Sequence, residues 1–166
     1  MKHVFIIGSI IIGIFLMQVN YNNTKMPIEE DIPIKLEQPE FFLEDIPTKE
    51  LVRDACEHYG IKHIDIVVAQ SILETGMYRS EQCLKHNNLF GLYNSRKQVY
   101  FRFNHWTESV KAYRDLIQYR LRENEDYYQF LTRISYAEDP QYITKVKGIV
   151  KRYETLDKEY SSKYYQ

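Results

Sequence analysis

Glu74 closes an apolar run, Ile66-Val67-Val68-Ala69-Gln70-Ser71-Ile72-Leu73-Glu74-Thr75-Gly76, at the point where a helix should end. A carboxyl group against such a wall loses hydration in its ionised form, so its pKa rises and it can stay protonated near neutral pH. Cleavage of a glycosidic bond needs a proton donor of that kind. Taken alone, a glutamate at the end of an apolar helix is more often a partly exposed carboxylate with no chemistry, so the flanking sequence has to decide.

Further motifs follow Glu74 in order: Asn87-Asn88-Leu89-Phe90-Gly91-Leu92, then Tyr100-Phe101-Arg102-Phe103 with Trp106-Thr107-Glu108-Ser109, and finally Tyr136-Ala137-Glu138-Asp139-Pro140-Gln141-Tyr142. Together with Ile72-Leu73-Glu74-Thr75-Gly76 they resemble, in order and spacing, the motifs of the family 73 glucosaminidases across roughly residues 48 to 153. The resemblance implies a mainly α, lysozyme-like α+β fold, with a helical body and a small β-hairpin lobe beside the active-site cleft. It also implies cleavage of peptidoglycan after N-acetylglucosamine, with Glu74 as the acid and Tyr136 as a catalytic residue facing it. A lytic transglycosylase-like muramidase would use the same single glutamate, and a catalytically quiet peptidoglycan-binding module is the rival from another class.

The remaining candidates are substrate-binding residues. The amides of Asn87 and Asn88 suit sugar hydroxyl and acetamido groups, and Gly91 lets the backbone approach a ligand closely. Structurally, the same stretch reads as a turn followed by a core anchor at Phe90. Tyr93 and Tyr100 on the expected hairpin, and Tyr78 just beyond Gly76, are candidate stacking surfaces for pyranose rings. Trp106 is spaced with Val110 and Tyr113 as a core residue, and Asp139 ahead of Pro140 reads as a helix cap.

A second carboxylate is hard to find. Two-carboxylate glycosidases set a base or nucleophile opposite the acid, yet residues 82 to 107 contain no Asp or Glu. Glu108 is the nearest, in the first turn of the next helix, where a carboxylate also serves the helix dipole. Assistance by the substrate's 2-acetamido group would need no second acid.

These residues must be held by a helical body. Thr48 caps a helix carrying Leu51, Val52, Ala55, Cys56 and Tyr59, which Gly60 stops; Asp65 caps a second helix, which Gly76 ends. The β-branched and aromatic residues between Leu92 and Phe103 predict a short hairpin. Helical spacing returns from Trp106 to Ile117, again over 126–132, and after Asp139-Pro140, where Tyr142, Ile143, Val146, Ile149, Val150 and Tyr153 share a buried face. The tail from Glu154 is charged and tyrosine-rich, and is expected to attach loosely.

Upstream, residues 4 to 17 are uncharged behind Lys2, the length of a signal-peptide core, and no small-x-small cleavage pair follows them. Residues 1–19 are therefore expected to be a signal peptide or an N-terminal membrane anchor, exporting the rest to the periplasm or cell envelope, with attachment to the inner membrane if uncut. Residues 20–47 hold four of the five prolines and most of the acidic excess, a linker ahead of a glucosaminidase domain at 48–166. That domain carries 19 bases against 16 acids, a mild positive excess that suits an anionic glycan strand but lacks a nucleic-acid binder's basic stripe. Cys56 and Cys83 either pair in an oxidising compartment or are separate buried thiols. No metal-ligand or phosphate-loop pattern occurs, and no cofactor is implied.

Overall fold

A computed structural model describes residues 39–164. The chain divides into two compact units, 1–36 and 37–166, and the described residues belong to the second. The expected leader and most of the expected linker lie outside the described residues. Among the described residues no helix is long and apolar enough to cross a membrane.

Among the described residues are six α-helices, two short 3₁₀ turns and one hairpin: α1 (Lys49–His58), α2 (Ile64–Thr75), α3 (Glu81–His86), β1 (Tyr93–Asn94), β2 (Val99–Tyr100), α4 (Trp106–Leu116), α5 (Tyr127–Arg133) and α6 (Tyr142–Tyr164). It is a helical body with a small antiparallel hairpin, as expected of a lysozyme-like α+β fold. The center is α2. Its residues Val67 to Ile72 are all buried, and it packs against α1 on one side and α6 on another. A helix apolar nearly all round has to be enclosed by its neighbours.

The ends of the elements follow local chemistry. Thr48 Oγ1 accepts from the Leu51 amide at 3.2 Å, and Gly60 takes φ +67° after α1. The expected Asp65 cap of α2 is not formed. His63, in the left-handed conformation, precedes the helix without a side-chain cap, while Asp65 lies inside the first turn and pairs with Arg53 of α1. The ion pair takes the carboxylate, and the helix starts two residues earlier. Asp126 caps α5 by accepting from the Gln129 amide at 2.9 Å. Residues after Glu154, expected to attach loosely, continue α6 to Tyr164, and Asp157 accepts from Lys49 at 3.3 Å.

The last part of the expected linker is folded. Residues Glu40–Phe42 form a single 3₁₀ turn; Phe41 is buried, and the Phe41 and Phe42 rings each lie 5.4 Å from the His58 ring. The Trp106 indole, fully buried as expected of a core residue, donates to the Glu44 carbonyl at 2.6 Å. Cys56 and Cys83 are both free and buried, and burial pushes their thiols up, to about 12 and about 11.

The folded unit thus extends upstream of residue 48. Burying Phe41 is worth about 1.5–3 kcal/mol. A chain beginning at residue 48 should therefore melt lower than one beginning at residue 37, by about 5 °C or more in a calorimetric scan; equal melting temperatures would show that residues 40–46 contribute nothing.

Candidate active site

The last turn of α2 carries Glu74, half-buried, and the chain then reverses through three consecutive left-handed residues, Gly76 (φ +56°), Met77 (+63°) and Tyr78 (+63°). Left-handed backbone costs a non-glycine residue about 1–2 kcal/mol, so this turn has to be held. Thr75 holds it: its hydroxyl donates to the Ser71 carbonyl at 2.6 Å and accepts from the Tyr78 amide at 2.8 Å. The Met77 amide caps the Ile72 carbonyl at 2.9 Å. Tyr78 is thereby folded back on the body, its hydroxyl 3.0 Å from Ser71 Oγ and its pKa raised by burial. It does not line the groove described below.

Three elements converge on the carboxyl. From the loop after α3 comes Gly91 at φ +59°, where an added Cβ would stand 3.6 Å from Glu74 Oε2. A side chain is absent where the backbone approaches the acid. From α6 comes the Tyr142 hydroxyl, which accepts from Gln70 Nε2 at 3.1 Å and favours the ionised form of the Glu74 carboxyl. From the segment between α5 and α6 comes Tyr136, whose hydroxyl donates to the Phe90 carbonyl at 3.1 Å and whose ring lies 5.5 Å from that of Tyr142. Burial raises the Glu74 carboxyl above its ordinary range, and the Tyr142 hydrogen bond partly offsets this. Burial is also the main cause of the raised pKa of Tyr136, followed by the neighbouring Tyr142 and Glu74.

Tyr142 and Gln70 were not singled out from the sequence for this role. Tyr142 reads there as one more member of a buried face. Gln70 carried a usable signal: it is a polar residue inside an apolar helix, four positions before Glu74 and so on the same side.

A groove of about 570 Å³ runs along the hairpin, lined by Gly91, Tyr93, Arg96, Tyr119, Arg120 and Tyr136 among others. Glu74 does not itself line it; Gly91 and Tyr136, which do, bring its edge to the carboxyl. Arg96 and Arg120 are its only charged lining residues. Tyr93 and Tyr100, a cross-strand pair with ring centroids 5.1 Å apart, are each 49% exposed, although Tyr100 faces a neighbouring depression.

The asparagines serve the fold. Asn87 ends α3 in the left-handed conformation, and its Nδ2 donates to the carbonyls of Phe103 and Asn104, both at 3.1 Å. Asn88 is 1% exposed. Its Nδ2 donates to the Leu92 and Phe101 carbonyls at 2.9 and 3.0 Å, and its Oδ1 accepts from the Leu92 amide at 2.9 Å. Both ends of the Asn88 amide, expected to meet sugar, are engaged at the hairpin's base. Phe90 likewise sits in the core, its ring 4.4 Å from that of Tyr113, and offers the site its carbonyl alone. Glu108 is exposed and accepts from the Asn104 amide at 3.2 Å, a helix-start contact. Asp139 accepts from the Gln141 amide and from Lys145, at 2.8 and 2.6 Å.

A half-buried carboxyl with a raised pKa, next to bare backbone and a groove flanked by tyrosines, is the equipment of a glycoside hydrolase. The sequence profile of the Glucosaminidase family, described as mannosyl-glycoprotein endo-β-N-acetylglucosaminidase, matches residues 49–155. The chain belongs to this family. Among solved structures it is similar to the catalytic domain of the autolysin Auto from Listeria monocytogenes, at 20% identity and a TM-score of 0.47, over 70% of this chain and 86% of that one. No curated protein matches it.

Removing the Asn88 amide strands the Phe101 carbonyl and the Leu92 amide at the base of the hairpin, while the Leu92 carbonyl keeps the Phe101 amide at 3.0 Å. Asn88→Ala should cost roughly 2–4 kcal/mol of stability in urea unfolding. A variant of unchanged stability but weakened substrate binding would return Asn88 to the list of sugar ligands.

Proposed function

We propose that this chain cleaves the β-1,4 bond after N-acetylglucosamine in peptidoglycan, with Glu74 as the general acid. The observation that carries this is the Glu74 carboxyl itself, held half out of water at the edge of the groove and raised by burial. Tyr136 shapes the facing side of the cleft, and Tyr93 offers an exposed ring for a sugar face. Gly91 gives the substrate access to the carboxyl. The family's description names a mannosyl-glycoprotein substrate; the two arginines and the lack of acids in the groove favour an anionic polymer instead. Uncharged residues 4–17 behind Lys2 support export to the envelope, which is where that polymer lies.

The mechanism needs few parts. The protonated Glu74 gives its proton to the glycosidic oxygen as the bond breaks, and the positive charge that develops at the anomeric carbon has to be met from the opposite face. The hairpin segment 82–107 has no carboxylate to meet it, and Glu108 is occupied at its helix start. The 2-acetamido oxygen of the substrate is the remaining nucleophile. Its attack forms a bicyclic oxazolinium ion, which water opens with retention of configuration. The same lack of a second carboxylate favours one alternative, transglycosylation, in which a sugar hydroxyl closes an anhydro ring.

Purified peptidoglycan digested with the chain and analysed by mass spectrometry tests the reading. New reducing N-acetylglucosamine ends are expected, and anhydro ends would assign the transglycosylase instead. A high-mannose glycopeptide should be left intact. Glu74→Gln keeps the volume but has no proton to give, and activity should fall about 100-fold to 10,000-fold; more than a tenth remaining would sink the assignment. The pH dependence has a definite sign. Because the folded carboxyl holds its proton more tightly than the unfolded one, Glu74 contributes fully to stability below the unfolded pKa and loses that contribution as pH rises through the folded pKa. Glu74→Gln should therefore be more stable than wild type at pH 7, with the difference closing near pH 4.

Glu108→Gln should cost little activity, a thiazoline-type inhibitor should compete with substrate, and the first-formed sugar should keep its anomeric configuration. Inversion together with a large loss at Glu108 would make Glu108 the base.

A further inference from the structure

The hydrogen bond from Gln70 to Tyr142 is the last link of a longer buried chain. Gln70 Oε1 accepts from the Tyr113 hydroxyl at 2.8 Å. That uses the Tyr113 proton, so the 2.9 Å contact between the Tyr113 and Tyr127 hydroxyls has Tyr127 as donor. Tyr127 in turn accepts from Gln118 Nε2 at 3.0 Å. Gln118 is locked to main chain at both ends of its amide, accepting from the Lys62 amide and donating to the Lys62 carbonyl, each at 2.8 Å.

From the Lys62 amide the donors run one way, through Gln118, Tyr127, Tyr113 and Gln70 to the Tyr142 hydroxyl, the group that acts on Glu74. Gln70 and Tyr113 are fully buried, Tyr127 is 1% exposed, and no buried side-chain donor or acceptor among the described residues lacks a partner. An apolar core would be simpler to pack, since a buried polar network is tolerated only when every member is satisfied. This one joins α2, α4, α5 and α6, and ends on the Tyr142 hydroxyl.

We propose that Gln70, Tyr113, Tyr127 and Gln118 act as one positioning relay, anchored on the Lys62 backbone, that orients the Tyr142 hydroxyl and through it the Glu74 carboxyl. Each hydrogen bond polarises the next, so the donor that reaches Glu74 is stronger than an isolated tyrosine. The relay works against burial: desolvation favours the protonated carboxyl, and the aligned hydroxyl favours the ionised one. The titratable groups that face Glu74 are Tyr142 on α6 and Tyr136 in the segment before it, while the loop carrying Gly91 contributes backbone. At the far end, the His63 ring lies 4.8 Å from that of Tyr127, and the Cys56 thiol acts on the same tyrosine. The catalytic consequence rests on Glu74 being the acid, but the relay itself does not.

The test begins with the intact wild-type chain. With ¹³C in the glutamate carboxyls and the tyrosine ring carbons bearing oxygen, the Tyr113 and Tyr127 signals should shift with the same pH midpoint as the Glu74 carboxyl, assigned by its loss in Glu74→Gln. Tyrosine signals that ignore the Glu74 titration would overturn the relay without any variant having to fold. Tyr113→Phe, which interrupts the chain, should raise the Glu74 midpoint by about half a pH unit, because the donor to its ionised form is weakened. Tyr127→Phe, one link further away, should raise it less. The descending basic limb of kcat/KM should move up with the carboxyl. A lower melting temperature with both midpoint and limb unmoved would reduce these residues to packing. A midpoint that moves while the limb stays supports the relay and removes Glu74 from the acid role.

Discussion

A carboxyl group held partly out of water must be met by donors whose own positions are fixed, and that requirement organises this molecule around Glu74. The helix that bears it, α2, is apolar nearly throughout and so has to be enclosed. Its enclosure by α1 and α6 brings Tyr142 onto the carboxyl. The turn that follows is left-handed for three residues and is held by the Thr75 hydroxyl together with main-chain bonds to Ile72 and Thr75. Core, turn and acid are one construction.

The balance at Glu74 is between two opposing effects of comparable origin. Water is excluded by the same packing that delivers the Tyr142 hydroxyl, so neither effect can be altered alone by a small shift of the backbone. Burial is the larger of the two, and the group is held toward its protonated form. In the proposed role of proton donor Glu74 is served by such opposition, since full desolvation alone would hold the proton too tightly.

Much of this was legible in the chain. Glu74, Gly76 and Gly91 announced themselves by residue type: a carboxyl at the end of an apolar run, and glycines where the backbone takes positive φ. The helices around Trp106 and after Pro140 followed from spacing, and Trp106 was read rightly as core. Where short-range rules met a long-range partner, the partner prevailed. Asp65 looked like a cap, but Arg53, twelve residues earlier, takes its carboxylate. Asn88 looked like a sugar ligand because an amide has four hydrogen-bonding sites and no sequence rule says which backbone groups will claim them; here the hairpin claims both ends. Tyr142 was hidden in its own periodicity. A tyrosine on a buried helix face looks the same whether its hydroxyl is idle or aimed, and the difference lies in α2, more than sixty residues away.

The hairpin has two residues in each strand, too few to hold together by itself. Its place beside the groove is set from below, by the Asn88 amide bridging Leu92 and Phe101 and by the Asn87 amide on Phe103 and Asn104. The tip, residues 95–98, carries Arg96 and Lys97 and is exposed. It is therefore a cantilever: clamped at the root, unsupported at the end. Insertions, deletions or charge changes at the tip would alter what the groove admits while leaving the clamp, and hence the geometry at the acid, as they were.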